Sequence, residues 1–166
     1  MRENPILWTP AGDRQRATAM YRFMREQGFD NYDDLYRWSI DDSAAFWESL
    51  CKFCAVRFDT PADATLSNPG DIMHAGWFRG GKLNYAAHLL RHSGERAALV
   101  FCGENGARRE LSFDELRNAV AGFAAGLRAA GIGNGDRVAG FLPNAPEAII
   151  AMLAAASIGA IWSSCS

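Results

Sequence analysis

What this chain lacks narrows its function before anything it contains is weighed. It has no excess of charge: 17 basic and 19 acidic residues leave a net charge of −2 over 166 residues, spread without blocks. Nucleic acids and anionic membranes are held by concentrated basic stripes, so neither is expected as a partner. No apolar run reaches the roughly 20 residues that a membrane-spanning helix requires. The longest, from Ala148 to Trp162, is interrupted by Ser157 and Gly159 and reads as a buried helix. The first residues, Met-Arg-Glu-Asn-Pro, lack the apolar segment of a secretory leader, and a cytoplasmic address is expected by default. Four cysteines, at 51, 54, 102 and 165, show none of the spacing of a disulfide framework and read as thiols. No Ser/His/Asp constellation and no partnered pair of carboxylates stands out.

What is present is a chain built to fold. With 49% hydrophobic and 22% charged residues it sits in the globular range rather than the disordered one. Its length suits one domain or one and a fraction. The front is helical. Residues 1–12 hold Pro5, Pro10 and Gly12 around Ile6, Leu7 and Trp8, an extended arm with an apolar anchor. Asp13 opens a helix with Ala17, Met20, Tyr21 and Met24 on its apolar face and Gly28 as its stop. A short helix through Leu35, Tyr36 and Trp38 follows. A third, starting at Asp42 or Ser43, carries Phe46, Trp47, Leu50, Phe53 and Cys54 on one stripe. Residues 60–76 hold turn formers without periodicity and read as a surface loop.

Beyond residue 77 the pattern alternates. Asn84 is placed to cap a helix over 84–92 whose buried side is Leu89 and Leu90. The apolar run 97–102 reads as a strand, Asn105-Gly106 as a φ > 0 pair for a tight hairpin turn, and 108–111 as the returning strand. Ser112-Phe-Asp-Glu115 forms a capping box, with Leu111 and Leu116 at the positions of a hydrophobic staple. The helix it opens puts Leu116, Val120, Phe123 and Leu127 on one side and stops at Gly131. Residues 137–142 form the next strand. Asn144 and Glu147 then repeat the cap-plus-glutamate device, with Pro146 in the first turn, and Gly159 ends that helix before a further strand. Strand, helix and starting strand make a βαβ unit. Parallel sheets are buried on both faces, so the chain is expected to be the front of a larger α/β protein.

Four constellations resemble chemistry without completing it. Cys51-Lys-Phe-Cys54 has zinc or redox spacing but falls inside a helix pattern, and buried structural thiols are expected. His88 and His92 stand one turn apart, but Leu89 occupies the place where a zinc-protease motif needs glutamate; a solvated helix face is expected. The glycines from Gly131 to Gly135 run from helix into strand, the reverse of a nucleotide loop, and read as stop and turn residues. Arg79-Gly80-Gly81-Lys82 could cradle an anion, though a tight turn into the Asn84 helix is the favoured reading.

The segments Trp77-Phe-Arg-Gly-Gly-Lys-Leu-Asn-Tyr-Ala86, Gly135-Asp-Arg-Val138, Leu142-Pro-Asn-Ala-Pro-Glu147 and Ala155-Ala-Ser-Ile-Gly-Ala-Ile-Trp-Ser-Ser-Cys-Ser166 carry more. In order and spacing they resemble the N-terminal part of the AMP-forming acyl-CoA synthetases. Leu7-Trp8-Thr9-Pro10, Tyr36-Arg-Trp-Ser39 and Trp162-Ser-Ser-Cys-Ser166 are most similar to the members that act on acetoacetate, with the acetyl- and propionyl-CoA enzymes as the alternative. The resemblance implies an α/β fold: a helical N-terminal extension over 1–92, then the first, incomplete part of the large α/β domain over 93–166. It implies a ligase using ATP, Mg2+ and CoA on small-molecule acids. It leaves the phosphate loop, the magnesium carboxylate and the catalytic lysine outside these residues. No catalytic or metal residue is therefore expected here, and the candidate ligand contacts, near CoA, are Ser163, Ser164, Cys165 and Ser166. A non-catalytic interaction module derived from such an enzyme is the other reading.

Overall fold

A computed structural model describes Pro5 and residues 7–165. Its contacts divide the chain into two compact units, one of residues 1–56 and 61–81, the other of 57–60 and 82–166.

The first unit is mostly helical: α1 (Gly12–Arg16), α2 (Ala19–Glu26), α3 (Tyr32–Asp41) and α4 (Ser43–Phe53), followed by β1 (Ala64–Ser67) and β2 (Gly76–Arg79). The single helix expected from Asp13 is split. Thr18 adopts an extended conformation and its hydroxyl accepts from the Tyr21 amide, capping a second helix. Capping also explains α3 and α4, where Asn31 accepts from the Asp34 amide and Asp42 from the Ala45 amide. The core is aromatic. Phe23, Met24 and Leu35 are buried, and Phe29, Trp38, Phe46 and Phe53 pack around them. Phe23 meets Phe46 edge-on at 5.9 Å and Phe53 at 5.1 Å, separations at which ring quadrupoles attract. Met20, expected on the apolar face, is 57% exposed, because the split turns that face by its new cap. Leu7 and Trp8 are exposed rather than anchored, with Arg14 over the Trp8 ring. The expected surface loop contains β1, antiparallel to β2 with Leu66 opposite Trp77.

The second unit alternates. It contains α5 (Tyr85–Leu89), β3 (Ala97–Cys102), β4 (Arg108–Ser112), α6 (Phe113–Ala129), β5 (Arg137–Phe141), α7 (Pro146–Ser157) and β6 (Ile161–Cys165). β3 and β4 form an antiparallel hairpin, and β5 and β6 a parallel pair joined through α7, the expected βαβ unit. Only Gly106 of the Asn105-Gly106 pair has positive φ, since the hairpin closes by a longer loop from Gly103 to Ala107. The capping box of α6 forms as read: Glu115 N–H donates to the Ser112 hydroxyl and Ser112 N–H to the Glu115 carboxylate at 2.8 Å. α7 departs from its expected cap. Ala145, not Asn144, is the N-cap, without a side-chain bond, and Pro146 holds the first turn.

The core of this unit is small and aliphatic: Ala86, Leu116, Val120, Ala124, Leu153 and Ala154. Alanines on facing helices let α6 and α7 approach closely. That shifts the buried stripe of α6 onto Ala124 and leaves Phe123, expected inside, 45% exposed. In α5 the buried residue is Ala86, while Leu89, also expected inside, is 39% exposed.

Candidate functional site

In an open α/β sheet ligands gather beyond the carboxyl ends of parallel strands, where a loop leads into the next helix. In this chain that place is the end of β5 and β6. Ala139, Gly140 and Phe141 stand opposite Ser163, Ser164 and Cys165 in parallel register. The register is pinned at its start, where Ile161 N–H donates to the Asp136 carbonyl at 2.7 Å and Gly135 N–H to that of Gly159 at 3.0 Å. Gly140 is required by close approach: a Cβ there would lie 2.5 Å from the Trp162 ring. Gly159, at φ +76°, turns the chain out of α7 into β6.

Three of the four expected contact residues are thereby set on one exposed strand. Ser163 and Cys165 point to one face of the sheet and Ser164 to the other, as strand geometry dictates. All three are exposed. Ser166 lies outside the described residues. None of the three side chains bonds to another described residue, so each hydroxyl or thiol is available to a ligand as donor or acceptor. No described base stands within hydrogen-bond reach, an arrangement suited to contact rather than bond-making.

The loop from β5 to α7 borders a cavity of about 300 Å³ lined by Val100, Cys102, Asn144 and Pro146 among others. Beside it, Arg109 of β4 pairs with Glu147 of α7 at 2.8 Å, a link not foreseen from sequence. The Glu147 carboxyl is held below its ordinary range by the backbone N–H at the helix start and then by Arg109. Asn84 also does more than its expected capping. Its Oδ1 accepts from the Ala87 amide at 2.9 Å, while its Nδ2 donates to the Ala156 and Ser157 carbonyls at 3.0 and 3.3 Å. One side chain thus closes the start of α5 and the end of α7.

The other constellations resolve as follows. Cys51 is half-buried in α4, its thiol pushed up by burial, while Cys54 is exposed at the C-cap instead of buried, since α4 ends one residue before it. His88 and His92 do not share a solvated helix face. α5 stops at Leu89, His92 packs on the Phe113 ring at 5.2 Å, and His88 keeps a buried Nδ1. Gly131 and Gly135 have positive φ in the helix-to-strand turn. In Arg79-Gly80-Gly81-Lys82, Gly80 takes φ +77° and a Cβ there would lie 2.6 Å from the Asp63 carboxylate, the close approach of a tight turn. Among the described residues no group of three or more His, Cys, Asp or Glu side chains could hold a metal ion, so no magnesium ligand is assigned. No described helix is long and apolar enough to cross a membrane.

Comparison with known proteins fits this geometry. Residues 32–89 match the acetyl-coenzyme A synthetase N-terminus family and residues 86–166 the AMP-binding enzyme family. Acetoacetyl-CoA synthetase of Macaca fascicularis is 42% identical over 99% of this chain, and that of Rhizobium meliloti (strain 1021) 41% over 96%. The solved acetoacetyl-CoA synthetase from Streptomyces lividans superposes on 98% of this chain with a TM-score of 0.84 and 39% identity. The chain spans about a quarter of the length of each of these relatives. With two families matched in tandem and a solved relative aligned over 98% of the residues, the chain belongs to the AMP-forming acyl-CoA synthetase family and aligns with the N-terminal part of these relatives.

Proposed function

We propose that the chain serves an acid–CoA ligase that joins acetoacetate to AMP at the expense of ATP and then passes the acyl group to the thiol of CoA. A carboxylate is a poor electrophile, and the mixed anhydride with AMP supplies a leaving group. Neutralising phosphate charge carries such a step. The observation that supports this reading is identity near 40% to acetoacetyl-CoA synthetases along almost the whole chain. ATP and magnesium would be held by residues outside these 166. Ser163, Ser164 and Cys165 would contact CoA or border its path. The same proposal divides the chain into a helical extension, 1–92, and the start of the ligase domain, 93–166, and gives it a cytoplasmic address. Four cysteines that remain thiols suit a reducing compartment.

The chain alone is expected to show no acetoacetate-dependent exchange of pyrophosphate into ATP and no acetoacetyl-CoA formation. The product of the complete reading frame is expected to do both, preferring acetoacetate to acetate and propionate. Acetoacetyl-CoA made by the purified 166-residue chain, or a complete product that prefers acetate, would refute the corresponding half of the proposal.

A further inference from the structure

Within the second unit, α5, α6 and the end of α7 at Ser157 border an open concavity of about 540 Å³ that the reading above does not use. Its rim carries four arginines from three separate segments: Arg57, Arg91, and Arg117 with Arg128 on α6. The last two are eleven residues apart, three helical turns, so they share one face with Val120 and Ala124 between them as an apolar floor. Some arginines elsewhere face carboxylates, as Arg25 with Asp30, Arg37 with Asp34 and Arg109 with Glu147. Arg57, Arg117 and Arg128 form no ion pair among the described residues. Beside them, His88 accepts from the Arg91 guanidinium at Nε2, so its proton sits on Nδ1. That atom is buried with no hydrogen-bond partner among the described residues. In a chain of net charge −2, four cations gathered at one concavity make a local field that favours an anion.

We propose that this cavity binds a small phosphate-bearing anion. The guanidinium fork matches phosphate oxygens bidentately. The volume lies in the range of small-molecule sites, about 300–1,000 Å³, and is concave rather than the extended stripe nucleic acid needs. The apolar floor is placed to take the non-phosphate part of the ligand. Free pyrophosphate and a nucleotide share this chemistry, and the test separates them.

Isothermal titration of the 166-residue chain at low salt uses pyrophosphate, ADP, citrate and a heptaglutamate peptide as probes. Saturable one-site binding of pyrophosphate or ADP is expected, weakening as salt rises. Arg117→Ala and Arg128→Ala should each reduce it about tenfold. Arg117→Lys should reduce it less, and Arg37→Ala, on α3, should leave it unchanged. Both α6 positions are exposed, and unchanged circular dichroism verifies that the variants fold. ADP binding tighter than pyrophosphate identifies a nucleotide; equal binding identifies the phosphate group alone. No saturable binding, binding that survives both alanine variants, or tighter binding of citrate or heptaglutamate overturns the proposal.

Discussion

The two units close their cores by opposite means. The first gathers large rings, Phe46 and Phe53 with Trp38 and Phe29, around the buried Phe23, Met24 and Leu35 on short helices. The second presses small residues together, Ala86, Ala124 and Ala154, so that helices approach and leave parallel strands room to pair. Large rings carry much apolar area each and need little from their neighbours' shape; close helix packing depends on the absence of bulk. The first unit should therefore suffer most from truncation and the second from enlargement.

The largest expected effect is Phe23→Ala. Removing a ring that is 4% exposed should cost about 3–5 kcal/mol. Urea unfolding followed by tryptophan emission reports on it, because Trp38, Trp47 and Trp77 all lie in this unit. A loss below about 1 kcal/mol would show that the ring cluster is not the core. The reciprocal change is Ala154→Leu at a residue that is 0% exposed, expected to cost about 3 kcal/mol by overpacking. If hydrogen exchange over α6 and α7 is unaltered by it, the close-packed description fails.

Asn84→Ala should cost about 2 kcal/mol, since a cap and donors to two helix-end carbonyls disappear together. Asn84→Asp keeps the acceptor and loses the donors, so thermal melts should place it between the two. A variant as stable as the native chain would remove Asn84 from the account of α5 and α7. The smallest effect is electrostatic. The Glu147 carboxyl titrates below its unfolded value, so its contribution is complete above that value and is lost as pH falls through the folded one. Half exposure limits it to less than about 1 kcal/mol. Urea midpoints measured from pH 6 to pH 3 should fall less steeply for Glu147→Gln, and parallel curves would discard the Arg109 link.

Much of this arrangement was legible in local chemistry. Ser112 with Glu115, Asn84, and Asp42 before Ser43 announce helix starts because a short polar side chain satisfies amides only at that position. The strands 97–102 and 137–142 read as such from their apolar runs and flanking turns, and the second ends one residue earlier, at Phe141. Thr18 was hidden inside a helical period, and β1 inside a run of turn formers, because each is fixed by contacts made elsewhere: a cap that competes with helix continuation, and Leu66 opposite Trp77 across the loop 68–75. At the site, the line from Ser163 to Cys165 was visible in the residues, whereas the arginine-rimmed cavity was not. Its four arginines are separated by up to 71 positions.

By itself the sequence determined where helices begin, where strands run, and through the order of its motifs which family the chain belongs to. These depend on groups within a few residues of one another or on residues kept in sequence. Only the tertiary structure decided which side of α6 is buried, that Asn84 closes two helices, that Arg109 meets Glu147, and that four arginines surround one cavity. Helical periodicity offers Phe123 and Ala124 as neighbouring candidates for the interior. The choice of Ala124 follows from how closely α7 approaches, a distance no single segment contains.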